Sequence, residues 1–450
     1  MLGFFAPRVE KALSEAGWEA TGSQSVQARK VIQRNFHGLS SSALQVVVHS
    51  DTKTIGSPAF AAAISSAERT LRSDRRVAMV VGPQPGVSIS RDGHTAVVQA
   101  GAAASPNEMV RAADELKGPL HAGGGVQVSL TGASGMWSDF NTANRTAMLK
   151  SEVISWPVTL GILVLAFGSL VAAGLPLMLT MLGLAAAAGS LYLGTLVLDI
   201  SIWAMNFALM FALALGIDYA LFVVMRFRGA FFGSELSAED AVGETMDTAG
   251  KAVLFSGLTV LISLTAVMLV PSPAFRSMSL GIMLAVFFVL AATLTLLPAV
   301  LMRLGPRVDN LSLPWAHSGE HRSRRFAAWG ERLWRRPIVF GLVAVVVLVG
   351  LAVPVLSLRT NMPSIAVVPK GDSSRAGYDQ IQRAFGVGAP GVLQIVTPRS
   401  NAGQVATLAR REPGIAEVPP RATALEAWFS CRRSRAETRQ DRRSGARSSA

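Results

Sequence analysis

Six long apolar runs constrain this sequence more than any other feature. Each holds roughly 20 residues, the length that an α-helix needs to cross the hydrocarbon core of a bilayer. They lie at 153–171, 177–198, 201–224, 252–270, 278–302 and 338–356. Only 16% of the residues are charged, whereas soluble domains average about 25%. We therefore predict a polytopic α-helical membrane protein with about six transmembrane helices, five in a bundle at 151–305 and a sixth at 337–357.

Basic residues are concentrated between the fifth and sixth runs. Residues 303–336 contain eight Arg and three acidic side chains, and cytoplasmic loops carry an excess of Lys and Arg. We therefore expect an Arg-rich cytoplasmic loop at 306–336, with residues 1–150 and 358–421 on the outer side of the membrane. Export of a large outer domain requires a signal peptide or a preceding span. We expect such a transmembrane helix upstream of the chain, and residues 2–5 would be its last residues.

The sequence contains an internal repeat at an offset of 349 residues (381 minus 32). At this offset Ile32-Gln33-Arg34 matches Ile381-Gln382-Arg383, and Phe36 matches Phe385, without a gap. We infer a duplication in which residues 358–421 are the start of a second, truncated outer domain. The chain would then be roughly the N-terminal half of a two-fold repeated protein. Residues 422–450 are basic with little apolar periodicity, so we predict a disordered or out-of-frame tail.

Residues 1–150 are predicted to form an α/β domain. Strand signals lie at 43–49, 77–81, 94–100 and 126–131, with a short strand-like run at 87–90 before the turn into the third strand, and helical patterns lie at 58–72 and 105–117. The resulting order is β-α-β-β-α-β, the split βαβ pattern of ferredoxin-like domains. Residues 133–150 also have helical spacing and would continue into the first span.

The third apolar run contains an aspartate followed by a tyrosine, Asp218 and Tyr219. Arg226 lies about 12 Å further along a helix, which places the carboxylate in the cytoplasmic half of the hydrocarbon. A charged side chain there costs about 3 kcal/mol on insertion scales, and such residues usually mark ion or proton pathways. Desolvation favours the protonated carboxyl group, and a nearby phenol can hold the proton. We predict a proton relay; the alternative is a structural aspartate bonded to a neighbouring helix.

Two polar residues are candidate neighbours of this relay. Asn206, on the same run, is more typical of a structural residue facing the bundle. Ser256, on the next run, could hydrogen-bond near Asp218, or it could bond to the carbonyl four residues back in its own helix. Gly216 is expected to let a second helix approach closely.

The cytoplasmic end of the third run carries two arginines, Arg226 and Arg228. Long cationic side chains at a helix end extend toward the water, so both are predicted to anchor the helix at the interface. Residues 236–249 have the spacing of an amphipathic helix and are expected to lie along the inner surface. Asp199 is placed in a short outer turn.

Motifs for other functions are incomplete. Six residues separate Gly243 from Gly250-Lys251-Ala252, whereas a P-loop has four and continues with Ser or Thr. His317 and His321 have no further ligands nearby in the sequence, which argues against a metal site. No known nucleic-acid-binding motif accompanies the Arg runs, which argues against nucleic acid. We therefore expect no enzyme activity, no cofactor, and protons as the coupling ion.

Several runs resemble the motifs of the MMPL (mycobacterial membrane protein large) family, within the resistance-nodulation-division superfamily. GIDYALFVVMRFR at 216–228 resembles its relay signature. WPVTL at 156–160, GKAVLFSGLT at 250–259 and LPAVL at 297–301 follow in the family's order. The resemblance covers residues 1 to 420. After the signature, Gly229-Ala230 replace the acidic residues usual in the family.

The resemblance implies twelve helices in two halves, each half with an outer porter domain. Asp218 and Tyr219 would face an equivalent pair on the tenth helix. The implied function is proton-motive-force-driven export of lipids or other hydrophobic molecules across the bacterial cytoplasmic membrane, with this chain as an incomplete half. Expected partners are membrane lipids and a hydrophobic substrate, with homo-oligomers or other envelope proteins as further candidates.

Two alternatives stay open. The chain could be a non-transporting membrane fragment or an interaction partner of envelope proteins. It could also be a sterol-sensing or protein-export relative on the same fold, which the motif at 255–259 disfavours.

Overall fold

The computed structural model describes residues 2–14, 19–20, 22–120, 123–234, 236–313, 324–358, 364–386, 388–390, 393–418 and 432–433. The α-helices are α1 (Ala6–Ala12), α2 (Gln24–Asn35), α3 (Pro58–Arg72), α4 (Pro106–Lys117), α5 (Ala133–Phe167), α6 (Leu170–Gly194), α7 (Trp203–Gly233), α8 (Ala238–Thr245), α9 (Lys251–Val267), α10 (Pro273–Ala291), α11 (Leu297–Leu304), α12 (Arg324–Arg335), α13 (Pro337–Ala352), α14 (Ser373–Phe385) and α15 (Ala402–Arg411). The strands are β1 (Leu44–His49), β2 (Val77–Val81), β3 (Thr95–Ala102), β4 (Gln127–Thr131), β5 (Ile415–Glu417) and β6 (Arg432–Arg433).

Strands β1 to β4 form one antiparallel sheet in the order β2-β3-β1-β4. Helix α3 connects β1 to β2 and α4 connects β3 to β4, so these elements follow one another in the order β-α-β-β-α-β. Because side chains alternate across a strand, Leu44 and Val46 of β1 pack with Leu71 of α3 and Met109 of α4. Val47 points to the opposite face. The assignment of this domain to the outer, porter type stays a prediction.

The second face of the sheet is covered by α14. Ile381 and Phe385 of this helix pack against Val47 and Val97 in the centre of the sheet. Helices α2 and α14, which contain the two repeat segments, begin at residues 24 and 373, and the difference is the offset of 349. The segment that the repeat assigns to a second outer domain therefore completes the packing of the first one.

Polar contacts hold the start of α14 against the edge strand β4. The Ser373 hydroxyl accepts a hydrogen bond from the Leu130 backbone N–H at 2.7 Å, a donor that the sheet edge would otherwise leave unpaired. The buried Asp139 carboxylate accepts one from the Ser374 backbone N–H at 2.7 Å and pairs with Lys117.

Six helical segments in the described residues are long and apolar enough to cross a membrane. They are Ala133–Phe167, Leu170–Gly194, Trp203–Gly233, Ala238–Val267, Pro273–Asp309 and Pro337–Ser357. All six predicted spans are therefore confirmed. Helix α7 packs against α6 and α10, and α9 packs against α10. This arrangement places the predicted relay helix inside the bundle.

Three predicted boundaries are wrong for local reasons. The first span ends at Phe167, because Gly168 has a φ of 69° and the Ser169 side chain caps the next helix, which therefore starts at Leu170. The helix predicted at 236–249 does not end there, since α8 continues through a π-helical turn into α9. Residues 87–90 form a turn with one bridge to β3 instead of a strand.

The N-terminal residues pack against the end of α6. Val9 and Leu13 contact Leu191, and a Cβ atom at Gly189 would lie 1.9 Å from the Leu2 carbonyl oxygen. The interpretation of residues 2–5 as the end of an earlier span stays a prediction.

Helix α13 has no buried residue. Residues 422–450 lie outside the described residues except for β6, which pairs with β5. His317 and His321 also lie outside them.

Candidate functional site

The candidate site is centred on the middle of α7. Asp218 lies about 22 Å from each end of this helix, at 1.5 Å per residue. Gly216, one turn before Tyr219, brings the neighbouring helices close to the backbone. A Cβ atom there would lie 2.3 Å from Thr180 Oγ1 on α6 and 3.2 Å from Val289 Cγ1 on α10. The predicted role of Gly216 in close helix approach is confirmed, and it fixes the rotation of α7 in the bundle.

This rotation separates the two side chains of the pair. Tyr219 is buried, with 7% of its surface exposed, and its hydroxyl lies 3.4 Å from the Ser256 hydroxyl on α9. Asp218 is on the exposed side of α7. Within the described part of the chain, no hydrogen bond or ion pair reaches its carboxylate. Ser256 therefore contacts the tyrosine of the pair, and the aspartate is left open to a group from outside this bundle.

Exposed apolar side chains lie on both helices of the site. Exposed side chains on α7 include Met210 and Phe222, and those on α9 include Phe255 and Ile262. An exposed apolar surface on a spanning helix faces lipid or another helix, and a lone carboxylate facing lipid is costly. The arrangement therefore favours a polar partner packed over Asp218.

Asn206 lies far from Asp218 and Tyr219. It lies three turns before Asp218 on α7, about 18 Å away along the helix axis, and it is half-buried. The structure therefore gives no contact between Asn206 and the candidate relay.

The two arginines of α7 differ in environment. Arg226 is exposed and hydrogen-bonds to Glu244 of α8 at 2.8 Å and to Thr248 at 3.1 Å. Arg228 is only 2% exposed, so the prediction that it extends into water is wrong. Its guanidinium donates to the Phe167 carbonyl oxygen at 2.5 Å and pairs with Asp309 at 2.6 Å. Arg228 therefore caps the C-terminal end of α5 and ties it to the chain after α11.

The sequence of this chain is similar to those of known proteins. The profile of the MMPL family matches residues 17–340, which is more than half of the chain. This chain belongs to the MMPL family. The family and the six spans identify a multi-pass protein of the cytoplasmic membrane.

Three MMPL relatives illustrate the coverage. Membrane protein YdfJ of Bacillus subtilis is 30% identical over 385 residues, 84% of this chain and 52% of that protein. Putative membrane protein SCO6666 of Streptomyces coelicolor is 32% identical over 408 residues, 88% of this chain and 56% of that protein. The mycolic acid-containing lipids exporter MmpL11 of Mycolicibacterium smegmatis is 31% identical over 293 residues, 64% of this chain and 30% of that protein. The chain spans about half the length of the first two relatives.

The structure adds residues to this MMPL site that the sequence did not indicate. Thr180 packs against Gly216, and Asp309 pairs with Arg228. Asp309 lies 81 positions after Arg228, beyond the range of local spacing arguments. The only signal in the sequence for this pairing was that Asp309 is an acidic residue within the basic segment that joins two spans. Among the described residues, no group of three or more His, Cys, Asp or Glu side chains could hold a metal ion.

Proposed function

We propose that this chain is one half of a proton-motive-force-driven exporter of lipids or other hydrophobic molecules. The observation that carries the proposal is the position of Asp218, a carboxyl group in the middle of an apolar spanning helix that lies inside the bundle. Intramembrane carboxyl groups of this kind commonly carry protons in pumps and transporters.

Three groups take part in the proposed proton step. Asp218 accepts and releases the proton. The Tyr219 and Ser256 hydroxyls, 3.4 Å apart, can each donate and accept a hydrogen bond, so they form a polar link between α7 and α9 next to the carboxyl-bearing residue. A change in the charge of Asp218 then changes the packing of α7 against whatever covers its exposed side.

We propose that a second six-helix half packs over the exposed side of α7 that carries Asp218. The first two relatives are about twice as long as the matched segment, and the internal repeat supports a second unit of similar structure. An equivalent Asp-Tyr pair on that unit, as the family resemblance implies, would face Asp218. The sheet domain with α14 would then be the outer porter domain that moves the substrate.

The substrate class is proposed from the relatives. The Mycolicibacterium smegmatis relative is named as an exporter of mycolic acid-containing lipids. An amphipathic lipid substrate suits a transporter whose described helices expose extensive apolar surface. No particular lipid is assigned.

The experiment is proton-driven export in membrane vesicles by the complete transporter. Asp218→Asn should abolish export, because an amide keeps the shape of the side chain but does not take up a proton. Asp199→Asn is the matched control, since Asp199 is exposed in the turn between α6 and α7, and it should retain export. Export by Asp218→Asn at the wild-type rate would refute the relay.

The second candidate function is a non-transporting fragment or a binding partner of other envelope proteins. The open, apolar surface around Asp218 favours it, because such a surface on a single half can bind another protein. Reconstitution of the 450-residue chain alone separates the two cases. Proton-coupled flux that requires Asp218 excludes the non-transporting function, and stable co-purification with an envelope protein without flux supports it.

A further inference from the structure

Helix α12 lies directly before the sixth span and is strongly amphipathic. Its 12 residues include four Arg and one Glu. At about 100° per residue, Trp329, Leu333 and Trp334 lie on one side of the helix, and Arg332 and Arg335 lie on the other. The helix therefore has an apolar side and a cationic side, an arrangement that is typical of helices at a membrane surface.

The position of α12 is fixed by its connection to the membrane. A single residue, Arg336, separates it from Pro337, where the sixth span begins. One residue extends at most about 3.5 Å, so the C-terminal end of α12 stays within a few ångströms of the surface at which α13 enters the bilayer. The Trp329 ring also contacts the Phe340 ring on the first turn of α13, with centroids 5.6 Å apart.

The apolar side of α12 has no cover in the described residues beyond this contact. Trp334 is 85% exposed and Trp329 is about half exposed. Tryptophan is enriched at the boundary between lipid and water. Arg332 and Arg335 are also exposed, and the only ion pair that the structure describes for these two is the surface pair Arg335–Glu331, a kind of contact that contributes little.

We propose that α12 lies in the plane of the membrane surface and binds anionic phospholipid headgroups, with its tryptophans inserted among the acyl chains. Charge complementarity selects this partner, because clustered Arg next to a transmembrane helix is attracted to anionic lipid. A zwitterionic surface would accept the tryptophans but would give the arginines no net charge to pair with. Helix α12 is thereby held on the leaflet instead of extending into solvent.

The test uses the full chain in nanodiscs of phosphatidylglycerol and phosphatidylcholine. Cys431, the single cysteine, is replaced by Ser, and Ala327→Cys on the Trp334 side carries a fluorophore. Quenching is compared between equal fractions of nitroxide-labelled phosphatidylglycerol and nitroxide-labelled phosphatidylcholine. The proposal predicts at least about twofold stronger quenching by the anionic lipid, with a preference that falls at high salt because the attraction is screened.

Variants with reversed charge test whether the arginines cause the preference for phosphatidylglycerol. Arg332→Glu with Arg335→Glu should bring the quenching ratio to about 1, because the headgroup attraction is removed. Arg410→Glu with Arg411→Glu, an exposed pair on α15, is the matched control and should leave the ratio unchanged. Equal quenching by both lipids in the wild type, no quenching by either, or a ratio unaffected by the α12 variant would each overturn the proposal.

Discussion

The buried ion pair between Arg228 and Asp309 gives the sharpest prediction on stability. Their charged atoms lie 2.6 Å apart, and the side chains are 2% and 17% exposed. Removing one partner of a buried pair costs about 3–5 kcal/mol, because the other charge is left without a partner. Asp309 retains some access to water, so Arg228→Met should cost about 3 kcal/mol, at the lower end of that range.

The exposed arginine on the same helix provides the control. The side chains of Arg226 and Glu244 are 45% and 44% exposed, and exposed ion pairs contribute about 0–1 kcal/mol. Arg226→Met should therefore shift the free energy of unfolding by no more than that amount. Unfolding is followed by circular dichroism in mixed micelles with increasing denaturing detergent.

A double substitution isolates the ion pair itself. Arg228→Met with Asp309→Leu removes both charges, so the double variant should be more stable than Arg228→Met alone. It should remain less stable than the wild type, because the bond to the Phe167 carbonyl oxygen is also lost. Equal losses for Arg228→Met and Arg226→Met, or no recovery in the double variant, would refute the structural role of Arg228.

Three further predictions concern packing and the outer domain. Gly216→Leu should destabilise the bundle by at least about 1–3 kcal/mol, as overpacking does, whereas Gly229→Leu should be close to neutral in thermal unfolding because nothing lies near its Cβ position. Asp139→Asn should release α14 from the sheet and expose it to limited proteolysis, whereas Asp114→Asn, at a largely exposed carboxylate, should not. Burial and the nearby Asp139 charge raise the pKa of Asp372, so its contribution to stability is fully present below the ordinary value of 3.8 and is lost as the pH rises through the higher folded-state value. Asp372→Asn should remove that pH dependence from unfolding curves, and an unchanged pH profile would contradict the assignment.

The spans and the order of the sheet domain could be predicted because they depend on local patterns. A run of about 20 apolar residues has few alternatives to a spanning helix, and alternation of apolar residues marks a strand half-buried in a sheet. The errors arose where one residue decides a boundary. Gly168 ends α5 because its φ of 69° is readily accessible to glycine, and the apolar pattern on either side does not show that break.

The sequence indicates which residues form the candidate site, but it does not indicate in which direction their side chains point. An aspartate within an apolar span is visible in the sequence, but the sequence does not show that Ser256 contacts the Tyr219 of the pair instead of Asp218. The exposure of Asp218 and the burial of Arg228 depend on the rotation of α7. That rotation is set by close packing at Gly216 against α6 and α10, contacts that are distant in the sequence. The pairing of α14 with the sheet is equally non-local.

Carbodiimide labelling tests most directly whether Asp218 carries a proton away from water. The full chain in lipid nanodiscs is treated at neutral pH with the hydrophobic reagent dicyclohexylcarbodiimide or with a water-soluble carbodiimide, which both react with protonated carboxyl groups, and the modified peptides are quantified by mass spectrometry. If Asp218 carries a proton within the lipid, the hydrophobic reagent should modify it and the water-soluble one should not, while the exposed Asp199 should show no preference for the hydrophobic reagent. Labelling of Asp218 by the water-soluble reagent, or no labelling by the hydrophobic one, would contradict a protonated carboxyl group within the lipid.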